Sequence, residues 1–98
     1  MKKLLTLLFL LISATIFAQQ VHVISKTELQ PIAGCTIYNA DKSVTVVTDN
    51  KGMADLTRFK STDVLTFSHV SFVPLVIERA YFTAPETDIQ LAVAVINL

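Results

Sequence analysis

Hydrophobic and polar positions follow two different rules along this chain. After a basic Met1-Lys2-Lys3 start, Leu4 to Ile12 is a continuous apolar run broken only by Thr6. From Val21 onward the pattern becomes short stretches of alternation. In Cys35-Thr36-Ile37-Tyr38-Asn39, Cys35 and Ile37 share one face and Thr36 and Tyr38 the other, which is the period of a half-buried strand. Strands are predicted at Val21–Ile24, Cys35–Asn39, Val44–Thr48, Met53–Leu56, Val64–Ser68, Phe72–Ile77 and Asp88–Leu91. Their spacing of roughly 8–12 residues, with no helical period longer than a turn, predicts an all-β fold: a single seven-stranded antiparallel Greek-key β-sandwich. The terminal Ala92–Leu98 run stays apolar to the last residue. It reads either as a strand locked centrally in the sheet or as the lead-in to a longer chain.

The rest of the chain is organised around Val46-Val47-Thr48-Asp49-Asn50-Lys51-Gly52-Met53-Ala54-Asp55-Leu56, which reads as a β-hairpin. A β-branched run enters a polar corner, the corner ends on glycine, and a second strand leaves. Gly52 suits the position where a loop of about 3–5 residues needs a positive φ. Asp49 and Asn50 can bond their own backbone through the turn. Pro31 keeps Gln30 extended, and Pro74, unable to donate to a ladder, places its strand at a sheet edge or a bulge. Phe59, in the polar connection Thr57–Asp63, is expected to fold back over one end of the core.

The basic start, the apolar run and Ala18 before Gln19-Gln20 form the three-part pattern of a secretory signal peptide, with cleavage after Ala18. Ile16 is larger than usual three residues before that cut. An uncleaved anchor is the alternative, but Met1–Ala18 holds too few apolar residues to cross ~30 Å of hydrocarbon comfortably. The expected organisation is therefore a signal peptide over 1–18 and a β-sandwich domain over 19–98, in an exported protein. The whole chain has 98 residues and eight residues of each charge sign. Without Lys2 and Lys3, six basic residues face eight acidic ones, a net charge of −2. No basic patch remains to recruit nucleic acid or an anionic membrane surface.

Cys35 is the single cysteine, so no internal disulfide staples this small domain. Ile32-Ala33-Gly34-Cys35 matches a lipobox, but charged residues separate it from the apolar run, and the expected role of Cys35 is a small buried thiol. His22, His69 and Cys35 are metal-ligand types without ligand spacing, so no metal or other cofactor is expected. Ser68, His69 and Asp63 are the residue types of a hydrolase triad. Neighbours in one strand point to opposite faces, so Ser68 and His69 are ill placed to share a hydrogen bond, and no catalytic residue is assigned. Val73, Leu75 and Ile77, with Tyr81 nearby, form a possible partner edge, because an unpaired strand can accept a partner's strand. The other reading of these residues is a half-buried core strand.

Three segments in order resemble a known family. Leu29-Gln30-Pro31-Ile32-Ala33-Gly34-Cys35-Thr36-Ile37 resembles its strand entry, Val47–Leu56 its hairpin, and Asp63–Phe72 its "D.l.fShiGY" strand. Together they resemble the carboxypeptidase-regulatory-like domain, a transthyretin- or prealbumin-type sandwich, across nearly all of residues 20–98. Ser71-Phe72 stands where the family has Gly-Tyr, and the glycine that often opens the first strand is absent. Gly34 and Gly52 are kept. With a leader in front, the chain is similar to the N-terminal extension of TonB-dependent outer-membrane receptors of Bacteroidetes-type bacteria, where a plug and barrel follow. Leu98 falls about where such a plug would begin. The resemblance implies a non-enzymatic interaction domain with protein partners at the outer membrane, on its periplasmic side, with no chemistry of its own. The alternatives are a free-standing structural or adhesion sandwich and a small carbohydrate- or peptide-binding module. The lack of Trp counts against sugar stacking.

Overall fold

The computed structural model describes residues 19–94. The expected leader and the last four residues of the apolar terminal run lie outside the described residues. Seven strands follow in order: β1 (Gln20–Ser25), β2 (Thr36–Tyr38), β3 (Thr45–Val47), β4 (Met53–Asp55), β5 (Val64–Ser68), β6 (Leu75–Glu78) and β7 (Glu86–Leu91). Each falls on one of the stretches expected to be extended. The only helix among the described residues is a one-turn 3₁₀ segment, Arg79–Tyr81, between β6 and β7. The strands form two sheets, one ordered β4-β1-β7 and the other β3-β2-β5-β6.

Two expectations about pairing need correction. The sheets are not purely antiparallel: β1 and β7 run parallel, with Gln20 opposite Glu86, His22 opposite Asp88 and Ser25 opposite Leu91. Parallel neighbours need a long crossover, and here the crossover is the whole of the intervening chain. The second correction is that β3 and β4 are not a hairpin. β3 pairs with β2 (Val47 opposite Thr36), and β4 pairs with β1 (Met53 opposite His22). The polar corner between them carries the chain from one sheet to the other. The local residues dictate a tight reversal, while the choice of partner is made by β1 and β2, whose inward side chains need covering on both flanks.

One core joins the two sheets in a sandwich-like fold. Val21 and Val23 from β1, Ala54 from β4 and Ile89 and Leu91 from β7 meet Ile37 from β2 and Leu65 and Phe67 from β5. The alternation is strict on β7, where Asp88 and Gln90 face out and Ile89 and Leu91 face in. Phe59 is buried at the edge of this core, and Phe82 packs at 6.1 Å, centroid to centroid, from Phe67. Burying side chains of this size contributes about 1.5–3 kcal/mol each. Cys35 is fully buried among them, and burial raises its thiol pKa to about 11, against a smaller lowering from the Ser68 backbone N–H. A neutral thiol inside the core is neither a nucleophile nor an exposed lipid-attachment point.

Candidate functional site

The corner at 49–52 is built by one aspartate. Asp49 Oδ1 accepts from the backbone N–H of Lys51 at 2.9 Å and of Met53 at 3.0 Å. The Gly52 N–H closes the loop onto the Asp49 carbonyl at 2.9 Å. Gly52 has φ +75° and is buried; Asn50 is exposed at the tip. Gly34, with φ +73°, sits on the approach to β2 and donates its N–H to the Thr48 carbonyl at 3.0 Å. All these bonds are spent on shaping backbone.

The Met53 and Lys51 N–H groups, in that order, hold the Asp49 carboxyl below its ordinary value of 3.8. At Asp41 the Ser43 hydroxyl and then the Ser43 N–H do the same. A carboxyl with a depressed folded pKa contributes stability above its unfolded pKa and loses it as pH falls through the folded value. We therefore expect stability to decline on acidification below about pH 4, the ordinary carboxylate range. The decline should be shallower in the double variant Asp41→Ala/Asp49→Ala. Urea midpoints measured across that range check this, and parallel slopes in the two proteins would contradict it.

The proposed partner edge is reordered by the strand's alternation. β6 is the outer strand of its sheet, but Leu75 and Ile77 turn inward opposite Phe67 and Leu65 and pack against the core. Of the three residues proposed for the edge, only Val73 is exposed, at 49%. Its N–H donates to the Ala92 carbonyl at 2.8 Å, where the chain beyond β7 returns to this sheet through a Phe72–Val93 bridge. Val76, between Leu75 and Ile77, is the outward residue, 60% exposed. The Arg79 N–H donates to the Asp63 carbonyl on the β5 side at 2.8 Å. By alternation, the backbone groups of Leu75 and Ile77 also face β5, and those of Val76 and Glu78 face the open edge. A hollow of about 190 Å³ at the strand's start is lined by Lys26, Val73, Pro74, Leu75, Gln90 and the adjoining turn.

The triad candidates are kept apart by β5 itself. Asp63 precedes the strand and His69 follows it, separated by roughly 20 Å of extended chain at ~3.3 Å per residue. Asp63 accepts from the Lys60 N–H, and His69 Nδ1 accepts from the Ser71 N–H, so both serve local turns.

A different trio does come together. The parallel register places His22, Glu86 and Asp88 on the outer face of the β1–β7 pair, with ligand atoms within 4.8 Å of one another. His22 Nδ1 lies 3.4 Å from Asp88 Oδ1. One imidazole and two carboxylates are donors suited to a divalent cation. Both carboxylates are exposed, and the His22–Asp88 contact by itself is an ordinary cross-strand pair. Sequence spacing had no means of showing this trio, since it exists only through a long-range parallel register. β7 also begins two residues earlier than the alternation from Asp88 indicates, which is what brings Glu86 onto the same strand face as Asp88. His69 and Cys35 are not members.

The geometry defines a class, an all-β sandwich-like protein of two open sheets, β6 being one of the outer strands, with polar surface clusters. Comparison with known protein families and with curated proteins gives no match to this chain.

Proposed function

We propose that this chain is a non-enzymatic interaction module of the outer-membrane uptake machinery, exported and acting on the periplasmic side. In this reading it is a Greek-key sandwich of the carboxypeptidase-regulatory-like kind, serving as the front piece of a TonB-dependent receptor or as a free-standing copy. The resemblance over three ordered segments supports the family. The open edge of β6 supports the mode of action, and it is the observation that carries the proposal. Outward N–H and C=O groups at Val76 and Glu78 can accept an added strand, and the exposed Val76 side chain offers that strand an apolar contact.

Photocrosslinking in cells tests this. A photoreactive residue replacing Val76 in the full chain should give an adduct that fractionates with the outer membrane, several-fold above the yield from Lys42. Equal yields at the two positions, or adducts confined to soluble proteins, would contradict the proposal.

A further inference from the structure

Arg79 is the one Lys or Arg among the described residues that the fold draws away from full exposure. It sits in the 3₁₀ turn after β6 and reaches across to the other sheet. Nε donates to the Leu56 carbonyl at 3.3 Å, Nη1 donates to the Phe82 carbonyl at 3.1 Å, and Nη2 donates to Gln19 Oε1. All three acceptors are neutral. A guanidinium carries five N–H donors, so three bonds leave two unspent. Among the described residues no carboxylate forms an ion pair with Arg79, the single such contact being His22–Asp88. At half burial the three neutral acceptors replace part of the lost hydration, and the two remaining N–H groups are left to water or to a ligand.

The space beside this cation is open. A cavity of about 210 Å³ is lined by Gln19, Thr57, Arg79, Thr83 and Pro85. A second hollow, of about 430 Å³, shares Gln19, Arg79 and Thr83 with it. The Thr57 hydroxyl donates to Asp55, whereas the Thr83 hydroxyl has no hydrogen-bond partner among the described residues.

We propose that this cavity binds a monovalent carboxylate, as presented by a small organic acid, an acidic sugar or a peptide C-terminus. The two remaining Arg79 N–H groups and the Thr83 hydroxyl supply its donors. A planar carboxylate matches the guanidinium fork in shape and charge. The site lies at the opposite end of β6 from Pro74 and does not depend on strand addition at the open edge, so either can fail alone.

The test is titration of the purified full chain with sodium acetate at constant ionic strength, followed by ¹⁵N–¹H NMR, with chloride and phosphate as controls. Acetate should shift the Ala80 and Thr83 amides saturably, with a Kd on the order of 1 mM, as suits one charge-assisted contact. Arg79→Gln should abolish the saturable shift. Arg79 also ties three neutral acceptors together, so that variant can fail to fold. Thr83→Val, which breaks no bond seen in the fold, should then decide the matter by weakening acetate binding several-fold while leaving the rest of the spectrum unchanged. Shifts no larger than those given by chloride, an unchanged affinity in Thr83→Val, or tighter binding of phosphate than acetate would overturn the proposal.

Discussion

Gly52→Ala is expected to destabilise the protein by about 3–5 kcal/mol, a large share of the about 5–15 kcal/mol that native proteins hold in reserve. Two effects add. A residue with a Cβ at φ +75° incurs about 1–2 kcal/mol from the left-handed conformation alone. The new Cβ would also lie 2.5 Å from the Val23 carbonyl oxygen and 3.2 Å from both the Ile32 nitrogen and Pro31 Cβ. That carbonyl is already accepting from the Ile32 N–H at 2.9 Å, and the Val23 N–H donates to the Gly52 carbonyl at 2.8 Å. The methyl group therefore pushes against backbone in the central strand of its sheet, and no side chain can swing aside to make room. Gly34→Ala is the matched control. Its φ is +73°, but nothing lies within 4 Å of the added Cβ, so only the conformational penalty applies. Chemical denaturation of both variants checks the difference. Equal losses would mean that Gly52 is only a turn glycine.

Thr48→Val should remove about 2–4 kcal/mol, although the two side chains have the same shape. Thr48 is buried, and its hydroxyl accepts from the Cys35 N–H at 2.9 Å and donates to the Ile32 carbonyl at 2.6 Å. Valine leaves both backbone groups buried without a partner, at about 1–3 kcal/mol each. Thr48→Ser keeps the hydroxyl and gives up only a methyl group, near 0.8 kcal/mol. Serine retaining most of the stability and valine losing it, in parallel melts, is the expected outcome. The reverse order would assign Thr48 to apolar packing. Through this hydroxyl the approach to β2 is fixed against the end of β3, which sets where the corner at 49–52 begins.

Local features of the fold were legible in the residues, and long-range ones were not. Alternation located the strands because one face of each must be apolar, as at Ile37, Leu65, Phe67, Ile89 and Leu91. Asp49 and Gly52 marked a reversal because turn chemistry is written in a few adjacent side chains. Nothing in those side chains says which strand lies beside which. For that reason the corner read as a hairpin when it crosses between sheets, and the parallel β1–β7 register was out of reach. The same gap governs the surfaces. His22 meets Asp88 only through that register, and Leu75 and Ile77 fitted a partner edge or a half-buried core strand until β5 fixed which side of β6 faces the core. Arg79 gave no sequence signal, because two of its three acceptors, Gln19 and Leu56, are distant in the chain and only Phe82 is a near neighbour.

The most direct test of the account is the inter-strand NOE pattern around the corner. Backbone contacts between His22 and Met53 and between Thr36 and Val47 are predicted, together with the parallel series linking His22 to Asp88. A continuous ladder pairing Thr45–Val47 directly with Met53–Asp55 would restore a simple hairpin and contradict the two-sheet arrangement on which the open β6 edge and the Arg79 cavity both depend.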